Sequence, residues 1–533
     1  MIGNHFEIIV KRSHQAKPVA GGRGIPQFSN LQELGKKYEA AFMRRDMEEC
    51  KQILKQLLKA NPRSIDATLQ KGRLLGVLCR FKEAKDSLQQ AVSITPEAAR
   101  ATTALRAGLL ARDFYDPSIA EYFYRKAMFG EVRNTATMAL AEHFGRIRRR
   151  EEARALLDSV LDEEPDNPQA IFLKARIGGY HSDETEKALL GLINGASPEL
   201  RVRSGYELGN LRDRRGDYEG AMKAFVSAKG EMQQFADPMI HYRKQVRARF
   251  EKMCAELSVD SVKPWREKNY RRLGRFSGIA LIAGHPRSGT TLLEQIIDSH
   301  SATISAEETE NFSLFAFAPL LQRSFAEEKS MFQGLDSLRD HAIEEARTNY
   351  LNSISRVLGA TPDSPLLIDK NPSLSHLVPA FFRIFPESKT ISMIRDPRDV
   401  ILSCFMQPFV PVNPVTACYM SLTECASEYA DVMKTHVKAT DVFADAVLEV
   451  RYEDLVQDVE TKSREVLEFL GLPWEEEVLG FYRRAEEKIV RSPTSEAVTE
   501  NVHQRAMNRW KNYEKHFGSA MDTLEPFLNR WGY

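Results

Sequence analysis

The residues best suited to chemistry cluster in Ile279–His300, IALIAGHPRSGTTLLEQIIDSH. An apolar run, GIALIAG at 278–284, reads as a buried strand; it enters a short Gly/Pro turn and then an amphipathic helix with Leu292, Leu293, Ile296 and Ile297 on its apolar side. Such a turn aims backbone N–H groups and the positive end of a helix at one spot, which suits an anion. Gly289 lets the backbone approach closely, Arg287 offers a two-pronged cation, and Ser288, Thr290 and Thr291 offer hydroxyl donors. The triphosphate-binding loop G-x-x-x-x-G-K-[ST] needs a Gly-Lys step that is missing here, so the expectation is anion capture without that lysine.

A second cationic segment lies downstream. In MIRDPRDVILS, Arg395 closes the apolar run KTISMI (389–394) and Ser403 follows eight residues later. A third, VRYEDLVQDVETKSREVLEFLGLPW (450–474), sets Tyr452 at the end of AVLEVRY; taken alone, that tyrosine reads as a packed strand aromatic.

PRSGTTL resembles the phosphosulfate-binding loop of sulfotransferases that use 3′-phosphoadenosine 5′-phosphosulfate. In that family a second motif holds the 3′-phosphate with an Arg at a strand end and a Ser eight residues on, and Arg395 and Ser403 stand at that spacing. The likeness extends to the protein-tyrosine sulfotransferase branch and to bacterial-type proteins with tetratricopeptide repeats before the catalytic domain. It implies that Glu308, in Ala306-Glu307-Glu308-Thr309, is the general base and that Lys370, in Asp369-Lys370-Asn371-Pro372, is the family's catalytic lysine. It also implies cofactor contacts for Tyr452, Thr494, Ser495 and Arg509, the last three on imperfect matches, and Gln407 replaces a basic residue of the pattern. Cytosolic sulfotransferases use a histidine base, so His376 and His285 are the alternatives to Glu308.

These roles suit the reaction. Moving SO3 in line between two oxygens asks a protein mainly for position and charge stabilisation, which Lys370 and Arg287 can supply. Glu308 could take the acceptor's hydroxyl proton if partial burial lifts its carboxyl towards neutrality; otherwise it is a solvated member of an acidic turn with Glu307 and Glu310. No metal is required. Two other classes stay open: a P-loop kinase-like phosphotransferase, and a nucleotide-binding scaffold without catalysis.

The elements around these motifs fall into two grammars. From 278 to 533, apolar runs including PLLID (365–369) alternate with helical stretches, which predicts an α/β domain with a central parallel sheet. From 31 to 256 the pattern is helical and repetitive. Pro62, Pro96, Pro165 and Pro198 are separated by 34, 69 and 33 residues, the tetratricopeptide period, and Gly72, Ala84, Leu88 and Ala91 occupy the small and large positions of one helix pair. The expectation is an all-α tetratricopeptide solenoid whose concave surface docks a peptide or protein acceptor, buttresses the catalytic half, or joins two copies as a homodimer. Residues 1–30 read as a flexible tail and 257–277 as a basic linker.

With 533 residues, 43% of them apolar, the chain can bury more than one core. Its net charge is zero, yet residues 1–270 carry 46 Lys and Arg against 36 Asp and Glu while 271–533 carry 28 against 38, which supports two domains. No basic block with interleaved aromatics suggests nucleic acid, and no run is apolar enough to span a membrane. Six cysteines without CxxC or zinc spacing read as buried thiols of a cytoplasmic protein.

Overall fold

A computed structural model describes residues 26–178, 182–270, 273–325, 329–359, 365–483 and 506–533. The chain divides into two units, within Glu7–Leu192 and Ile193–Tyr533. In the first, sequence-adjacent helices pair: Ile65–Val77 with Phe81–Ser93, Arg100–Ala111 with Pro117–Ala127, Arg133–Arg146 with Arg150–Glu163. The pairing depends on small residues where helices cross. A Cβ on Gly72 would sit 2.7 Å from Leu88, so only glycine lets that pair close. The Ser64 and Asp116 side chains accept first-turn N–H groups and start two of the helices.

The second unit begins with the same kind of pair, Pro198–Arg214 and Tyr218–Gly230, followed by the long helix Gln233–Glu256. The stretch read as a linker, 257–277, instead contains the helix Val259–Arg266, started by a reciprocal Ser258–Ser261 cap. Its Val262 and Trp265 are buried with Phe250, Met253, Leu281 and Phe381, and the Trp265 indole N–H donates to Asp336 at 2.8 Å. The division into the two units falls near 192. The physical reason is that helices from 198 onward turn their apolar sides onto the α/β core: Arg243 is buried in a two-pronged ion pair with Glu428, and the buried Lys229 ammonium donates to the Tyr419 carbonyl at 2.6 Å.

The core of this unit is a five-stranded parallel sheet, β1 (Gly278–Gly284), β2 (Thr303–Ser305), β3 (Leu366–Lys370), β4 (Lys389–Ile394) and β5 (Val447–Arg451), in the order β2-β3-β1-β4-β5. Alternate β1 residues feed two cores: Ile279, Leu281 and Ala283 one, Ala280 and Ile282 the other. A sheet covered on both faces explains why its strands are continuous apolar runs. Strand order reverses around β1, and ligands in such sheets bind at the crevice beyond the carboxyl ends at that reversal. Register brings those ends level, pairing Ile282 with Lys370, Gly284 with Met393 and Ile394 with Arg451.

Among the described residues no helix is long and apolar enough to cross a membrane, and no group of three or more His, Cys, Asp or Glu could hold a metal. None of the six cysteines is in a disulfide.

Candidate active site

The segments that leave the five strand ends supply the site. After β1 the chain makes the turn His285–Gly289 and starts the helix Thr290–Asp298. Two turn residues are left-handed, Arg287 at φ 76° and Gly289 at φ 95°. For an arginine that conformation is strained, and such turns can gather backbone N–H groups into an anion-binding concavity, the Ser288 N–H here being held by the His285 carbonyl at 3.1 Å. Gly289 is the N-cap and provides no side-chain cap, so the helix keeps first-turn donors for a ligand. A Cβ there would fall 2.3 Å from the ring of Tyr452, which follows β5 and is itself buried. Ser288, Thr290 and Thr291 are buried around the turn.

The second motif closes on the same turn. Arg395, just past β4, donates from Nη1 to the Arg287 carbonyl at 2.9 Å and from Nη2 to the Ala506 carbonyl at 2.5 Å. Its guanidinium lies 4.8 Å from the Tyr452 ring centroid. Ser403, on the helix Pro397–Phe405, accepts from Arg287 Nε at 2.9 Å. Arg287, Arg395, Ser403 and Tyr452 thus form one cluster, although 116 residues separate Arg287 from Ser403. Burial pushes the Arg287 guanidinium down to about 10, which still leaves it charged near neutrality.

Lys370 ends β3 and lies across the loop helix. Its Nζ is 2.6 Å from Glu308 Oε1, 3.0 Å from Glu294 Oε2 and 3.5 Å from Thr291 Oγ1. Burial alone would lower the ammonium, but the two carboxylates outweigh it and hold Lys370 above its ordinary value. Glu308 comes off β2 through Glu307, which is left-handed at φ 55°, and the Asn371 amide fixes the next carbonyl, Thr309, at 2.6 Å. The Glu308 side chain is 33% exposed, against 1% for Lys370. Glu308, Lys370 and the loop residue Thr291 therefore meet in one place.

The rival histidines do not share that geometry. His285 is buried with Nδ1 2.9 Å from the Pro286 carbonyl and its ring against Tyr429, while His376 packs edge-on against Phe250 at 4.6 Å. Burial pushes both down to about 4, which makes them weak bases for a hydroxyl. Arg509 is ion-paired with Asp213, at the end of the helix Pro198–Arg214, and Asp213 also accepts from the Tyr513 hydroxyl at 2.6 Å. Thr494 and Ser495 lie outside the described residues.

Sequence reasoning passed over Glu294, Asp213 and Asp399. Asp399 accepts from the Trp510 backbone N–H at 2.8 Å and ties the C-terminal segment to the Arg395 helix. Glu294 is buried on the loop helix, bonded to the Ser305 hydroxyl as well as to Lys370, and burial pushes its carboxyl up to about 7. One signal was present: Glu294 is three residues after Thr291, which puts the two on one helix face beside the anion loop.

The donor set suits an anionic ligand: the helix N-terminus, Arg287, Lys370 and Arg395, whose Nε is a buried donor with no partner among the described residues. Residues 280–476 match the family model described as Sulfotransferase family. An uncharacterized protein of Aquifex aeolicus (strain VF5) is 24% identical over 390 residues, covering 70% of this chain and 48% of its own length, so the chain spans about half of that relative. Protein-tyrosine sulfotransferase A of Caenorhabditis elegans is 26% identical over 267 residues, 49% of this chain and 68% of that protein. The sulfotransferase domain of the Synechococcus PCC 7002 olefin synthase aligns at 20% identity over 49% of this chain and 98% of its own, with a TM-score of 0.33. The similarity to the sulfotransferase family thus falls on residues 280–476, which hold the parallel sheet and the loops at its strand ends.

Proposed function

We propose that the protein transfers a sulfuryl group from 3′-phosphoadenosine 5′-phosphosulfate to a hydroxyl acceptor, with tyrosine in a peptide or protein as the acceptor class to test first. The observation that carries the reading is the joining of the Arg395–Ser403 motif to the Arg287 turn, beside a lysine-carboxylate pair. Arg395 and Ser403 bind the 3′-phosphate, and the turn from Arg287 to Thr291 binds the phosphosulfate. Tyr452 holds the turn in place, with Arg509, Thr494 and Ser495 as further cofactor contacts. The donor supplies an electrophilic sulfur and a good leaving phosphate. Glu308 accepts the proton of the acceptor hydroxyl as its oxygen bonds to sulfur; the bond from sulfur to the 5′-phosphate oxygen breaks, and that oxygen keeps the electron pair. Lys370 and Arg287 stabilise the charge growing there. The helical repeats are proposed as the peptide-docking surface, and the thiols favour a reducing, cytoplasmic compartment.

The test is transfer of labelled sulfate from the donor to tyrosine peptides, alongside binding of 3′-phosphoadenosine 5′-phosphate and of ATP with magnesium. Transfer together with preference for the bisphosphate is expected; preference for ATP with magnesium would make the protein a phosphotransferase. Gly289→Ala should weaken the bisphosphate roughly tenfold in calorimetry. Its Cβ adds about 1–2 kcal/mol of left-handed strain and displaces the Tyr452 ring. An unchanged Kd would mean that the turn does not bind the nucleotide.

A further inference from the structure

Lys370 is held by two carboxylates in opposite surroundings. Glu294 is 1% exposed on a helix continuous with the anion loop, and a second bond to the Ser305 hydroxyl fixes it. Glu308 is 33% exposed and follows a left-handed residue. An ammonium has three donors, and Glu294, Glu308 and Thr291 occupy the positions they can reach. For Lys370 to reach a sulfuryl oxygen of the donor, one partner has to be released. Releasing Glu294 would leave a buried charge uncompensated, whereas Glu308 regains water. Thr291, on the loop itself, is the longest of the three contacts and offers only a neutral hydroxyl.

We propose that Glu294 is a positioning residue that keeps Lys370 at the site while Lys370 exchanges Glu308 for a sulfuryl oxygen of the bound donor. This rests on the sulfuryl-transfer reading. It makes donor binding the event that uncaps the base, so the donor binds productively before the acceptor. In the donor complex Glu308 is released from the ammonium and can accept the hydroxyl proton; Glu294 takes no part in bond making.

The test compares two nucleotides by calorimetry without acceptor: the sulfated donor and 3′-phosphoadenosine 5′-phosphate, which lacks the sulfuryl group. The readout is the ratio of their affinities in wild type, Glu294→Gln and Glu308→Gln. In Glu294→Gln the ammonium relies on Glu308 alone, so preference for the sulfated donor should fall about fivefold, with the bisphosphate Kd within about twofold. In Glu308→Gln the competitor is weakened, and the preference should rise by about threefold. A merely structural Glu294 would weaken both nucleotides alike and leave the ratio unchanged, which overturns the proposal. If Glu294→Gln does not fold, Glu308→Gln decides, since an unchanged ratio there is equally contradictory. Wild-type protein that binds neither nucleotide removes the sulfuryl-transfer reading itself; wild-type binding with ratios that do not move removes only the exchange.

Discussion

Glu308→Gln is expected to lower sulfuryl transfer by about 100-fold or more while affinity for 3′-phosphoadenosine 5′-phosphate stays within about twofold. Glutamine preserves the length of the side chain, and its carbonyl can still meet Lys370, so the fold and the proposed nucleotide-binding cluster of Arg287, Arg395 and Ser403 survive. It cannot take a proton from an acceptor hydroxyl. The loss should therefore appear in kcat and not in the nucleotide Kd, measured with saturating donor and a tyrosine peptide. Turnover near the wild-type rate would move the base elsewhere, yet His285 and His376 are packed away from the Lys370–Glu308 contact and held near 4.

Lys370→Met should have the largest effect, because the proposed role gives the lysine a part in both chemistry and folding. Removing the cation that stabilises the leaving oxygen is expected to cost about 100- to 1,000-fold in kcat, the scale seen when one such donor is lost. The same change leaves Glu294 buried without its ammonium, a loss of about 3–5 kcal/mol for one partner of a buried pair. Stability should also gain a pH signature. Glu294 in the wild type sits at about 7, above its ordinary 4.5, with burial raising it and Lys370 pulling it down. A folded-state carboxyl above its unfolded value means that the folded form binds the extra proton, so stability is fully present below the unfolded value and falls as pH rises towards the folded one. The wild type stops losing stability on this group above about pH 7. The variant, with the downward pull gone, continues to lose it. The gap between the two in urea unfolding should therefore widen above pH 7 by up to about 1.4 kcal/mol per pH unit. A gap independent of pH would mean that Glu294 does not depend on Lys370 for its charge.

How much of this could be read from residues alone varied with the kind of signal. The anion turn was legible because its chemistry is local: a strand, a glycine, an arginine and hydroxyls in one stretch, with the nucleotide loop's lysine missing. Arg395 and Ser403 were legible only through the resemblance, whose second motif sets an Arg at a strand end and a Ser eight residues on. The parallel sheet followed from its continuous apolar strands, although strand order did not. Glu294 was hidden because a carboxylate in an amphipathic helix reads as its wet side, and only the position of Lys370 reveals that the site is dry. The linker at 257–277 was misread for a related reason: Lys263, Arg266 and Pro264 dominate the pattern, while two buried residues, Val262 and Trp265, decide the packing. The boundary near 192 was invisible because helical periodicity is the same whether a helix covers another repeat or the flank of a sheet. Asp213 could not be linked to Arg509 by any local rule, as 296 residues separate them.

The most direct test of the proposed donor site is calorimetry of 3′-phosphoadenosine 5′-phosphate with wild type and Arg395→Ala. Arg395 bridges the Arg287 carbonyl and the Ala506 carbonyl and has one buried donor left over. If it binds the 3′-phosphate, the wild type should bind at micromolar strength or tighter, and the variant should lose about 1.5–3 kcal/mol, the worth of hydrogen bonds to a charged group. An affinity that does not change between the two proteins would contradict the convergence of both motifs on one nucleotide.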